Sequence, residues 1–311
     1  QNPISITKNN ITMGGQQVHN VAAGTGDYDA VNMSQLNAIT IHDYSVNSTT
    51  PETDTNYGNK GATGKNALAA GVSAKASREN GTAVGTGTDA WGTRATAVGS
   101  YVNVSGESSV ALGTSETQIY NGYNGKPYEV GTNVSGNRSV GIGVAANTSG
   151  NSAVAIGDGA NSAGLESIAL GKSAVASTDN DIAFGSNARS SGTNAIAIGA
   201  SSGEPGEAGY IAGANSSGNY SVAIGTGANT ADTASIAIGR SSRSSNSATA
   251  IGDGALASGL NSLAIGRTTT SNGMTRTTQS MGSDSMAFGN GANAWGNGSI
   301  AFGKLANAGE D

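Results

Sequence analysis

Residues 151–171 read NSAVAIGDGANSAGLESIALG, a stretch that says one small apolar word twice: AVAIG closes at Gly157 and SIALG closes at Gly171. Within AVAIG the side chains alternate, Val154 and Ile156 to one side and Ala155 to the other. A period of two over β-branched residues marks a strand rather than a helix. The word carries almost no reactive side chain, so its repetition speaks of architecture.

Outward from this stretch, the closing glycine returns every fourteen residues: at Gly71, Gly85, Gly99 and Gly113, from Gly143 to Gly199, from Gly225 to Gly266, and at Gly289 and Gly303, with one interval of thirteen before Gly252. Most periods hold a second glycine halfway, as at Gly150 and Gly164, where the chain must bend without a Cβ. Two short strands and two turns per period leave no room for a crossover helix. Successive coils must therefore stack in parallel as a β-solenoid. The expectation is that the Val/Ile face fills the inside of the flattened coil, while the Ala/Ser face is small enough for another copy to approach closely.

Composition agrees with economical use of apolar residues. Val, Ile, Leu and Phe make up roughly 15% of the chain, below the globular norm. Disorder of that kind expects high charge, whereas 12% of the 311 residues are charged, the net charge is −6 and 49 residues are Gly. A coil enclosing one Val, one Ile and one or two Ala buries less apolar surface than the ordering of fourteen residues demands. A second apolar surface, shared between subunits, is the natural remedy, so an obligate homo-oligomer is expected.

Three stretches interrupt the rhythm: 114–135, 200–217 and 267–281. All enter between the word's glycine and the mid-repeat glycine, so they should protrude along the same side of the solenoid, where insertions often form a binding face. Candidate ligand contacts are Tyr120, Tyr123 and Tyr128 in the first, Tyr210 in the second and Arg276 in the third, the tyrosines being anchors of the kind that interface hot spots favour. The alternative is that the inserts pack down and bolster neighbouring coils. Trp91 and Trp295 share one repeat slot, where they either face solvent or pack locally at the turn.

Several chemistries find no support. With no cysteine, there is neither a disulfide framework nor a thiolate metal site. The chain has no Lys/Arg cluster to suit nucleic acid or an anionic membrane. Nothing resembles a 20-residue apolar span, and QNPISITKNN at the start lacks the regions of a signal peptide, so any anchor is expected outside this stretch. A hexapeptide-repeat acyltransferase needs multiples of six and a His base, yet His19 and His42 both precede the repeats. GDGA at 157–160 and 252–255 lacks the nine-residue spacing of calcium-binding rolls. Gly157/Gly159 and Gly289/Gly291 precede no Lys or helix, so no phosphate loop is implied. Glu204 and Glu207 in GEPGE read as solvated charges, and triplets such as those at Asn103 and Asn133 follow from composition without establishing glycosylation. An ice-binding face would need a flat row of one residue type, whereas the outer positions mix Ala, Ser, Thr, Arg and Lys. No catalytic residue, cofactor or metal is assigned.

Residues 18–36, VHNVAAGTGDYDAVNMSQL, stand outside the repeat. They resemble the neck motif of the trimeric autotransporter adhesins, the YadA-like surface proteins of Gram-negative bacteria, with Asn20, Gly24, Asp29, Asn32, Gln35 and Leu36 among the matching positions. The stretch 42–71 resembles the segment that enters a head, and the SVAIG repeats resemble the head itself. The resemblance thus divides the chain into a connector with neck over 1–41, a head entry over 42–71 and a head over 72–311. It implies a left-handed parallel β-roll, three chains around one axis, a neck that passes chains between subunits, and a location on the bacterial surface with an outer-membrane anchor lying outside this stretch. It also implies attachment to host matrix proteins, other cells or abiotic surfaces, and autoagglutination. A neck commonly follows a head, whereas here it comes first, so the chain reads as an internal slice. The competing reading is a passive spacer within a longer fibre.

Overall fold

The fold is described from a computed structural model, over residues 5–7, 10–13, 15, 17–38, 56, 58–118, 128–203 and 205–309. The chain divides into two units, Gln1–Asn47 and Ser48–Asp311. The first contains a small antiparallel pair, Ser5–Thr7 with Asn10–Thr12, and a six-residue helix, Met33–Ala38. The second is the solenoid.

Each coil contributes one strand of three or four residues and one of two. The longer strands, such as Val154–Ile156, form one 15-stranded parallel sheet, and the shorter ones, such as Asn161–Ser162, form another. Register follows the repeat: Val154 pairs with Ile168, Ala155 with Ala169 and Ile156 with Leu170. The thirteen-residue interval falls in a turn, where Asn246 and Ser247 both take positive φ, 54° and 58°, so the ladder keeps its register across Ile238 and Ile251. The word's glycine is obligatory for two reasons at Gly157: its φ is +137°, and a Cβ there would lie 2.5 Å from the carbonyl oxygen of Gly171 in the next coil.

The interior reverses the expectation for the two faces. Ala155, Ala169, Ala183 and Ala197 are fully buried, whereas Val154 is half-buried and Ile156 is 36% exposed within one chain. The space between the facing sheets is filled mainly by alanine from the longer strands and by Ala, Ser, Thr or Val from the shorter ones. Its largest fully buried side chains are Val102, Val104 and Val134. Two strands closed by tight turns within fourteen residues stand too close for opposed Val and Ile. The bulky residues therefore point outward and the methyl groups inward. Many hydroxyls in this interior are paired, as where Ser162 Oγ lies 2.6 Å from Ser167 Oγ, which in turn donates to Gly164 O at 2.7 Å, while Ser235 Oγ is buried without a partner. Buried Asp181 accepts from the Thr178 N–H, the Thr178 hydroxyl and the Ala195 N–H, as a carboxylate removed from water must.

Candidate functional site

Three surfaces carry the functional reading. The first is the outer face of the longer-strand sheet. Parallel register turns the repeated Val and Ile into continuous columns: Ile156, Leu170, Phe184 and Ile198 follow one another in adjacent coils. At the far end of the same column Phe288 and Phe302 stack with centroids 5.2 Å apart. Phe184 is 54% and Phe302 76% exposed in one chain. An apolar face of this extent marks a protein interface.

The second surface is formed by the inserts, all of which leave the coil at the turn after a longer strand. The first begins as a hairpin, Glu116–Gln118 against Tyr128–Val130; Tyr120 and Tyr123 lie outside the described residues, and of Tyr128 only the backbone pairing with Gln118 is described. In the second, Ser202 bridges to Ile211 and half-buried Tyr210 donates its N–H to Glu207 O at 3.2 Å; Glu204 lies outside the described residues. The third is a hairpin, Thr269–Ser271 against Met274–Arg276. Arg276 is half-buried on its returning strand, its guanidinium donating to the Asn307 side-chain oxygen. The last residues of each interrupted stretch, Asn133–Val134, Asn215–Ser216 and Gln279–Ser280, form the next short strand of the coil. Tyr128, Tyr210 and Arg276 sit on three separate inserts.

The shorter strands present a polar row to solvent that the repeat spacing of Asn133, Asn147 and Asn161 could have announced. Asn133 Nδ2 donates to Asn147 Oδ1 at 3.1 Å, and Asn147 Nδ2 to Asn161 Oδ1 at 3.0 Å. A second column staples the turns: Asn151 Oδ1 accepts the Asn137 N–H, Asp179 Oδ1 that of Leu165, and Asn219 Oδ1 that of Thr193. Trp91 and Trp295 are exposed beside this row. The Asp89 carboxyl is raised above its ordinary value because burial outweighs the lowering influence of Trp91 and Lys75 beside it.

The third surface is the motif in 18–36, which the structure ties into one lattice. Asn20 takes positive φ. Asn32 Oδ1 accepts the Gln35 N–H at 2.9 Å while Gln35 Oε1 accepts the Asn32 N–H at 3.3 Å, a capping box at the helix start. The same Gln35 amide clasps Gly24, accepting from its N–H and donating to its carbonyl, both at 2.9 Å, while Asn32 Nδ2 donates to Val21 O. Asp29 accepts the Thr25 and Gly26 N–H groups at 2.8 Å, which hold its carboxyl below its ordinary value. Val18, Val31, Met33 and Leu36 line an open groove and remain exposed. His19 also lines that groove; His42 lies outside the described residues.

Among the described residues no three His, Cys, Asp or Glu side chains gather as metal ligands, and no helix is long and apolar enough to cross a membrane. Two family models match. The coiled stalk of trimeric autotransporter adhesin matches residues 17–41. The YadA head domain repeat matches nine times, beginning at 62–88 and ending at 282–306. A search of curated proteins found no match. Together the two models cover most of the chain, which belongs to the YadA-like trimeric autotransporter adhesins. Membership makes this all-β roll homotrimeric and implies a surface-exposed protein anchored in the outer membrane, from a family of adhesins rather than of enzymes. In a homotrimer of such thin chains, the outward apolar columns are a surface suited to burial between subunits.

Proposed function

We propose that this region is a non-enzymatic adhesive head that attaches to host matrix proteins, cells or abiotic surfaces and supports autoagglutination. In this reading 1–41 is the connector and neck, 42–71 the head entry and 72–311 the head. Retention arises from many weak contacts, each repeated three times around the axis, so avidity takes the place of one deep pocket. The observation that supports the reading is the difference between the two faces: exposed apolar columns on the longer-strand sheet, suited to partner chains, and a polar row on the other sheet, with three inserts beside it. Tyr120, Tyr123, Tyr128, Tyr210 and Arg276 are the proposed contacts on those inserts.

A passive spacer is the second reading, favoured by the way Arg276 is tied down onto Asn307. Deleting 114–129 and 200–211 from the full chain, which restores fourteen residues between the flanking glycines and keeps buried Thr132 and Ala214, separates the two. With an intact trimer, loss of adhesion to matrix-coated wells and plastic supports the adhesive head, and unchanged adhesion supports the spacer.

A further inference from the structure

Three uninterrupted coils, carrying Asn229, Arg243 and Leu256 in the outward row, separate the insert at 200–217 from the one at 267–281. The first insert leans over the coil that follows it. Ile211 sits over Gly227, where a Cβ would meet Ile211 Cγ2 at 2.6 Å. Without the glycine, the insert could not lie this close. A depression of 360 Å³ opens beside it, lined by Tyr210, Ile211, Asn215, Asn229, Ser241 and Arg243. A second, of 260 Å³, runs from Ser241 and Arg243 past Leu256 to Thr277 and Gln279 at the base of the other insert. The two meet at Ser241 and Arg243. At the spacing of neighbouring strands, the row from Asn215 to Gln279 spans about 19 Å.

Arg243 is exposed at the centre of this trough. Arg94 pairs with Glu107, and Arg240 with Asp253, but Arg243 has no acidic partner among the described residues. Asp253, on an adjoining turn, is engaged by both Nε and Nη2 of Arg240. In a chain of net charge −6, this is a local feature and no part of a general basic surface. A guanidinium offers a planar fork of donors that matches a carboxylate or a sulfate bidentately. Around it, Asn215, Asn229 and Gln279 carry amides, and Ser241 and Thr277 carry hydroxyls. Such groups both donate and accept, as the ring hydroxyls of a sugar require. Tyr210 adds an aromatic ring at one wall.

We propose that this trough binds an anionic oligosaccharide, with Arg243 engaging its carboxylate or sulfate and the flanking amides and hydroxyls engaging its hydroxyls. The inference rests on the adhesive reading and gives it a ligand class. The row lies on the sheet opposite the apolar columns, so each of the three subunits presents one such trough.

The test is surface plasmon resonance on the immobilised full-chain trimer with four probes: a hyaluronan octasaccharide, a heparin octasaccharide, neutral chitohexaose and an octaglutamate peptide. At least one anionic saccharide should bind, with chitohexaose and the peptide at least tenfold weaker; the hyaluronan and heparin arms separate carboxylate from sulfate recognition. Arg243→Gln should weaken that binding tenfold or more, and Arg243→Lys should lose part of it, each with the trimer mass unchanged. Arg189→Gln, in the same outward row but outside both depressions, should stay within twofold. The proposal is overturned if neither saccharide binds, if the peptide binds as well, if Arg243→Gln behaves as the parent, or if Arg189→Gln loses as much. Adhesion of the same trimer to matrix-coated wells without saccharide binding defeats the trough alone; failure on both defeats the adhesive reading as well.

Discussion

Gly141 fills the place that alanine holds in the equivalent longer strands, and the room its methyl would need belongs to Val134: a Cβ at Gly141 would stand 2.5 Å from Val134 Cγ2. One side of the coil has grown and the other has shrunk to match. Overpacking a tight core costs about 1–3 kcal/mol, so Gly141→Ala should lower the thermal stability of the trimer by that order. Adding Val134→Ala should restore most of the loss. A double-mutant cycle read by calorimetry checks this, and additive losses would refute the complementarity.

The two faces of the longer-strand sheet should respond in opposite ways. Ile238 is half-buried and points outward, while Ala237 between the sheets is fully buried. Ile238→Asp should convert the trimer to lower species at micromolar concentration in sedimentation velocity, since it places a charge in each apolar column. Ala237→Val should destabilise each coil by about 1–3 kcal/mol through overpacking. A trimer unmoved by Ile238→Asp would contradict the assignment of that face to the subunit interface.

Gln35 makes both halves of the capping box and both hydrogen bonds to Gly24. Its replacement by Ala should cost about 1 kcal/mol or more of local stability, as lost caps do. The readout is hydrogen exchange at the Gly24 and Asn32 amides, which should quicken severalfold while amides in the solenoid keep their protection.

The two perturbed carboxylates should give opposite pH responses. Asp29 has its pKa lowered from 3.8 by the Thr25 and Gly26 N–H groups, so its contribution is present above the unfolded value and is lost as pH falls through the depressed folded one. Asp29→Asn should remove that acid-side dependence in an NMR titration of the Gly26 amide. Asp89 has its pKa raised from 3.8 by burial, and its Oδ1 lacks a hydrogen-bond partner. Folding then favours the protonated form, and the penalty grows as pH rises through the folded value. Asp89→Asn, which matches Asn103 in the next coil, should raise the melting temperature at neutral pH and lose that advantage below pH 3.8.

Much of the solenoid was written in the chain. The glycine spacing set the coil, the alternation set the strands, and the absence of room for a helix set the parallel stacking. The in-and-out assignment of the faces does not follow from side-chain size, because the innermost residues here are the alanines and the larger Val and Ile point outward. A sharper signal lay in the variation of size between repeats. The central position of the longer strand holds Ala83, Ala97, Ala111, Gly141 and Ala155 in succession, whereas the position after it runs through Val98, Leu112, Ile142, Leu170 and Phe184. A site that never admits more than a methyl is enclosed on all sides, and a site that accepts anything from Val to Phe faces a space another molecule completes. The trough at Arg243 was not legible, since it depends on how the insert at 200–217 leans across Gly227. The clasp of Gln35 on Gly24 joins residues eleven positions apart with no periodicity to reveal it.

Backbone bonds between coils, such as Val154 N–H to Ser167 O at 2.9 Å, run along the direction in which the coils pile up. Tension applied along that direction meets them one rung at a time, as in opening a zipper, and each rung of a repeat array holds only to its neighbours. Mechanical endurance must then come from the sides. While three strands of this rope share their apolar columns, no rung can peel away without prising its counterparts loose in the other two.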